Sequence, residues 1–148
     1  MPPNDSLTFE VFNEIGIIQQ LSSASFAAVL PKGMTTAQFG ILNHFVRLGH
    51  DARSPAQLAS AFQVTRPTMT STLSRLEKSG LVTIKPDPDD GRGKLVALTA
   101  AGRKMREECL QRLSGSIADA QTVLSQETLT KLLPLLKEVR ERLDKLRD

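Results

Sequence analysis

The sequence predicts a mainly α-helical fold with one small β-hairpin, and three observations lead to this prediction. Helix-capping residues recur along the 148-residue chain, and the apolar residues between them return at helical spacing. Two short apolar runs are separated by a loop rich in Asp and Gly, which is typical of a hairpin. The length suits a single domain, and the 24% charged and 40% hydrophobic residues are typical of a soluble globular protein.

Three helices are predicted before residue 65. The first covers about residues 7–30 and stops at the sequence PKG. Thr35 with Gln38, and Ser54 with Gln57, form capping boxes that start a second helix, ending near Gly49, and a short third helix. The apolar residues placed inward by the second and third helices are Phe39, Leu42, Phe45, Val46, Leu58, Ala59 and Phe62.

A fourth helix, a hairpin and two further helices follow. Thr65 can cap the stretch RPTMTSTLSRLEKSG, which Gly80 closes, and residues 82–84 and 95–98 form the two strands. Thr99 caps a helix to about residue 120, and Ser125 caps a last, leucine-rich helix. Pro134 inside that helix should kink it or delay its start.

Positive charge is concentrated in the middle of the chain. Residues 51–106 carry ten Lys and Arg against five Asp and Glu, whereas residues 1–50 and 107–148 each sum to −1. This distribution indicates a local contact with a polyanion, although a solvated surface can show such an imbalance by chance.

The fourth helix has a face suited to close contact with DNA. At about 100° per residue, Met69, Leu73 and Leu76 share a narrow arc and should face the core. The other side carries small hydroxyl residues with Arg75 and Lys78, so its backbone could approach a major groove closely. With the short preceding helix it forms a helix-turn-helix pattern.

The chain resembles the MarR family of bacterial transcriptional regulators over nearly its whole length. The matching stretches are MTTAQFGIL, SPAQLASAFQVTRPTMTSTLSRLEKSGLV and DPDDGRGKLVALTAAG. The resemblance implies a winged helix-turn-helix, in which the hairpin is the wing and the fourth helix is the recognition helix. It also implies a homodimer formed by the long first and last helices. Base and phosphate contacts are then expected at Pro67, Thr68, Thr70, Ser71 and Arg75, with Arg92 as the wing-tip arginine and Asp90 as its partner.

The wing loop, KPDPDDGRGK, has more acidic than basic side chains at its tip. Asp residues are strong turn formers through bonds from side chain to backbone, and Asp90 is close enough to pair with Arg92 and aim it. An aimed arginine suits a narrow, A·T-rich minor groove. Arg66, Lys78 and Lys94 are expected on phosphates, and the family commonly has a second basic residue where this chain has Gly91.

Other functions are weakly supported by the sequence. The lone cysteine, Cys109, follows two glutamates that would raise its pKa, so packing is favoured over redox sensing. His44 and His50 lack further metal ligands nearby, and no catalytic constellation appears, so neither a metal, a cofactor nor an enzyme activity is expected.

The sequence therefore predicts one integrated domain with three parts. Residues 1–34 form a dimerisation helix, residues 35–102 the winged helix-turn-helix, and residues 103–148 the C-terminal dimerisation helices. The predicted function is a cytoplasmic repressor that binds a palindromic operator in double-stranded DNA and is released by a small, phenolic ligand; no membrane partner is expected. The apolar Phe12, Phe39, Phe45 and Met105 could line a ligand pocket, although core packing is favoured for each. The alternative is a winged helix that binds protein rather than DNA.

Overall fold

The computed structural model describes residues 2–147, apart from the side chains of Pro3 and Asn4. In this part of the chain it has six helices and one antiparallel two-stranded sheet, which confirms the predicted fold class. The elements are α1 (Pro3–Val29), α2 (Thr36–Leu48), α3 (Pro55–Phe62), α4 (Arg66–Lys78), β1 (Val82–Pro86), β2 (Lys94–Leu98), α5 (Ala100–Val123) and α6 (Gln126–Lys145).

The predicted caps set the helix boundaries. Both bonds of the two capping boxes are present, at 3.0 and 3.1 Å for Thr35 with Gln38 and at 2.9 and 3.1 Å for Ser54 with Gln57. Between α3 and α4 the chain turns at Gln63, whose φ of 53° is unusual for a residue with a Cβ. This single left-handed residue lets α4 begin directly after α3.

The core around α4 matches the prediction. Met69, Leu73 and Leu76 are each at most 3% exposed. They share one buried cluster with residues from α2, α3 and the hairpin, namely Ile41, Leu42, Phe45, Leu58, Ala59, Leu81, Val82 and Val96. This cluster holds α4 with its opposite side turned outward.

A second cluster lies where α1, α2 and α5 meet. It consists of Leu30, Phe39, Cys109 and Leu113, with the Phe26 ring centroid 5.5 Å from that of Phe39. Phe39 and Phe45 therefore belong to different clusters, and Met105 packs against both. Core packing is confirmed as the role of these three residues, whereas Phe12 is 43% exposed.

The chain divides into two compact units, of which one ends at Leu113 and the other begins at Ser114. In the second unit, α6 has no buried residue among those described. The helix starts at Gln126 and continues through Pro134, so the predicted delay of its start is wrong. No described helix has the length and apolar character needed to cross a bilayer.

Candidate nucleic-acid interface

The outer side of α4 is exposed along its length. Helix α3, the turn at Gln63 and helix α4 form a helix-turn-helix, with Thr65 Oγ1 accepting a bond from the Thr68 amide at 3.2 Å. The structure places every predicted contact residue of this helix on the surface; these residues are Arg66, Pro67, Thr68, Thr70, Ser71, Arg75 and Lys78. Such a side, with short side chains in its first half, can approach a major groove closely.

The start of α4 offers side-chain donors rather than backbone donors. Pro67 has no N–H, and the Thr68 amide is already bonded to Thr65. The Thr72 hydroxyl is also used internally, because it donates to the Thr68 carbonyl at 3.1 Å. Few backbone donors are therefore free at this end, whereas Arg66, Thr70 and Ser71, which carry side-chain donors, are exposed.

The wing loop is folded by its aspartates, as predicted. Asp87 Oδ1 accepts from the Asp89 amide at 2.9 Å, and Asp90 Oδ1 accepts from the Arg92 amide at 3.1 Å. Backbone bonds of 2.9 Å join Asp87 to Gly93 and Gly93 to Asp90. The Asp87 and Asp90 carboxylates thus shape the turn, which explains why the tip of the wing is acidic.

Asp90 acts on Arg92 differently from the expectation. Its bond goes to the Arg92 backbone, and none of the ion pairs between described residues joins the two side chains. Asp90 therefore places the Arg92 backbone and leaves the guanidinium exposed. Lys94, at the start of β2, is exposed as well.

A groove of about 700 Å³ runs between the two helices and the wing. It brings Arg66 and Thr70 of α4 together with Asp90, Arg92 and Lys94 of the wing. The predicted site residues of the helix and the wing therefore share one surface, although the chain separates them by some twenty residues.

Sequence reasoning missed one residue that lines this groove and two that hold the wing beside it. Gln57, known only as a capping residue, lines the groove from the first turn of α3. Arg53 pairs through its backbone with Val96 of β2, and Glu77 of α4 accepts a bond from the Ile84 amide of β1. The capping box was a signal for the first of these, but no local pattern indicates the other two, since both join residues distant in sequence.

Cys109, His44 and His50 lie away from this groove, in the unit that ends at Leu113. Burial raises the pKa of the Cys109 thiol and nearby Glu108 raises it further, which confirms the expected direction. The His44 and His50 rings are 5.8 Å apart, because the chain turns at Gly49 after α2. No cluster of three or more metal-binding side chains occurs among the described residues.

A helix-turn-helix followed by a hairpin, with an exposed cationic and hydroxyl-bearing surface across both, defines a winged-helix DNA-binding protein. The family model described as MarR family matches residues 32–93. The multiple antibiotic resistance protein MarR of Escherichia coli is 33% identical over 110 residues, which are 74% of this chain and 75% of that protein. BadR of Rhodopseudomonas palustris, a transcriptional activatory protein, is 28% identical over 82% of this chain and 70% of its own length.

Solved structures agree with this assignment. The transcriptional regulator BldR of Sulfolobus solfataricus superposes with a TM-score of 0.81 at 26% identity, covering 96% of this chain and 99% of BldR. A mutant of E. coli MarR in complex with operator DNA has a TM-score of 0.75 at 29% identity, covering 88% of this chain and 93% of that one. The chain belongs to the MarR family of transcriptional regulators, and these relatives are regulators rather than enzymes.

Proposed function

We propose that this protein is a cytoplasmic repressor that binds a palindromic DNA operator as a homodimer and is released by a small phenolic ligand. The observation that carries the proposal is the continuous exposed surface from Arg66 and Thr70 of α4 to Arg92 of the wing. Helix and wing stand side by side, so one subunit can contact a major groove and the adjacent minor groove together.

The proposed contacts follow from the side chains. Thr68, Thr70 and Ser71 reach base edges and nearby phosphates from the first half of α4, and Pro67 allows close approach because it adds little bulk. The arginines and lysines at the margins neutralise phosphates; they are Arg66, Arg75, Lys78 and Lys94. Arg92 enters the minor groove, and Asp90 holds the turn beneath it.

Dimerisation is supported by exposed apolar side chains at both ends of the chain. On α1, Leu7 and Leu21 are 65% and 67% exposed, and on α6 Leu133 and Leu136 are 55% and 41% exposed. Each pair lies on one side of its helix, and an exposed apolar side of a helix marks an interaction site in a soluble protein. We therefore assign residues 1–34 and 103–148 to the dimer interface, which would set two half-sites roughly 34–36 Å apart.

Release by a ligand is supported by a structural relative. In BpsR of Bordetella bronchiseptica, which is 25% identical with a TM-score of 0.75, DNA binding is regulated by 6-hydroxynicotinic acid. A hydroxylated aromatic acid is close in chemistry to a phenolic ligand. We propose the same class of ligand for this protein and test it by adding such acids to the preformed complex with DNA.

The first experiment is a salt titration of binding to the DNA upstream of the protein's own gene. Wild type should show an affinity that falls steeply with salt, and Arg92→Ala should weaken binding by about 1–3 kcal/mol. Arg75→Ala should weaken it and reduce the slope of the salt plot by about 1. Arg47→Ala, an exposed arginine of α2 outside the proposed contacts, is the matched control.

Each outcome has a separate meaning. Equal losses in the Arg47 and Arg92 variants would show non-specific charge attraction and contradict the proposed groove contacts. Weak binding without salt dependence, unchanged in all three variants, would favour the protein-binding alternative. If the operator lies upstream of the promoter and transcription is lost when the protein is removed, the protein is an activator. Its relative BadR is named as a transcriptional activatory protein.

A further inference from the structure

Ile84 of β1 and Val96 of β2 lie opposite each other in the wing. Each forms hydrogen bonds on the outer edge of its own strand. On the β2 side, Val96 exchanges two backbone bonds with Arg53, of 3.0 and 2.8 Å. The N–H and C=O of Val96 therefore point away from β1. In an antiparallel ladder the residue opposite such a position also points its N–H outward, so the Ile84 amide lies on the free edge of β1.

Glu77 occupies that free edge. Its Oε2 accepts a hydrogen bond from the Ile84 amide at 3.1 Å, across seven residues of sequence. Glu77 stands in the last turn of α4, between the proposed contact residues Arg75 and Lys78, and it is the only acid of that helix. The recognition helix thus holds one edge of the wing, and the segment before α3 holds the other.

Because this bond lies near the base of the wing, a small change in the direction of the wing there moves the loop at its tip. Beyond the Ile84 and Val96 pair, only two further residue pairs of the ladder precede the loop that carries Arg92. At roughly 3.4 Å per residue the loop begins about 10 Å beyond the bond, so a swing of about 10° would move it by about 2 Å. A displacement of that size is enough to lose a hydrogen bond to DNA.

A carboxylate on a DNA-binding helix should weaken binding because it repels phosphates, so the presence of Glu77 calls for a structural explanation. We infer that Glu77 is a positioning residue, which fixes the direction of the wing relative to the recognition helix and so places Arg92 for its groove contact. This inference rests on the proposed function. It assigns to Glu77 a role exerted through Ile84 and Arg92, without contact to DNA.

Two substitutions of Glu77 separate positioning from charge. Glu77→Gln removes the charge but keeps a side-chain oxygen that can accept from the Ile84 amide. Glu77→Ala removes both. If positioning dominates, Glu77→Ala weakens operator binding by about two- to tenfold, the range expected for one hydrogen bond, whereas Glu77→Gln binds as wild type or more tightly. Asp51→Ala, an exposed acid in the loop after α2, controls for the loss of one negative charge.

A double-mutant cycle with Arg92 tests the route of the effect. In the Arg92→Ala background the wing has no guanidinium to place, so adding Glu77→Ala should not weaken operator binding further. Amide hydrogen exchange of the free protein supplies a readout without DNA: exchange of the Ile84 amide should accelerate in Glu77→Ala and stay slow in Glu77→Gln.

Three results would overturn the inference. These are tighter binding by both Glu77 variants, additive losses in the cycle with Arg92, and Ile84 exchange that Glu77→Ala leaves unchanged. If Arg92→Ala alone binds as wild type, the proposed groove contact fails instead, and Ile84 exchange then decides whether Glu77 holds the wing.

Discussion

The winged-helix segment and helix α6 are both rich in leucine, yet they bury it to opposite degrees. Leu58, Leu73 and Leu76 are each at most 1% exposed, whereas Leu133 and Leu135 of α6 are more than half exposed. In the winged-helix segment, helices α2, α3 and α4 and the hairpin pack together and bury these leucines. None of the described residues of α6 is buried. Composition alone therefore does not decide burial, and the exposed leucines of α6 are the ones on which the proposed dimer depends.

A substitution in the closed core of the winged-helix segment tests this contrast directly. Leu73→Ala should lower the free energy of unfolding by about 2–5 kcal/mol, because it leaves a cavity in a closed core. Denaturant unfolding at several protein concentrations measures it, and the loss should be the same at each concentration.

Leu133→Ala is the matched change on α6. Its effect should depend on protein concentration, because it acts through association of two chains. A loss that is large and independent of concentration would show that Leu133 is covered within its own chain.

A charge placed on the apolar side of α6 should separate the proposed dimer. Leu136→Asp would bury an unpaired carboxylate at a cost of about 3 kcal/mol, which raises the dissociation constant on the order of 100-fold. Sedimentation equilibrium measures this. Lys145→Asp, about 180° around the helix, changes the charge more but should leave the dimer intact. Equal dissociation in both variants would contradict a specific apolar seam.

Two glycines of α5 also differ in packing, since Gly102 is closely packed and Gly115 is not. A Cβ at Gly102 would collide with the Leu81 carbonyl, so Gly102→Ala should destabilise the protein by about 1–3 kcal/mol. A Cβ at Gly115 meets nothing within 4 Å, and Gly115→Ala should stabilise by about 0.5–1 kcal/mol through helix propensity. Thermal unfolding of both variants measures this, and effects of the same sign would contradict the packing difference.

The smallest effect concerns pH and the buried His44. Burial lowers the pKa of His44, and its neighbours His50, Arg47 and Arg53 lower it further. Below about pH 6.5 the unfolded chain therefore takes up a proton that the folded chain does not, and stability falls as the pH falls.

His44→Phe keeps an aromatic ring beside Phe62 and removes this titration. Urea unfolding between about pH 5 and pH 8 should thus give a flatter profile for the variant, and parallel profiles would show that His44 does not contribute.

Much of the site could be predicted because its signals are local. The capping boxes, the arc of Met69, Leu73 and Leu76, and the aspartates of the wing each act over a few residues, and each appears as expected. The role of Asp90 was only partly anticipated. Proximity in sequence indicated a partner for Arg92 but not whether the bond would go to its backbone or its guanidinium.

The order of the helices, the hairpin and the side of α4 that faces outward all follow from short stretches of sequence. Local hydrogen bonds and the 3.6-residue period are sufficient for these. Other features depend on packing between distant segments. Phe39 and Phe45 separate into two clusters, Gly102 leaves no room for a Cβ beside the Leu81 carbonyl, and Arg53 and Glu77 hold opposite edges of the wing. These contacts join distant residues, and their partners are determined by how the helices and the hairpin pack together, which no short stretch of sequence encodes.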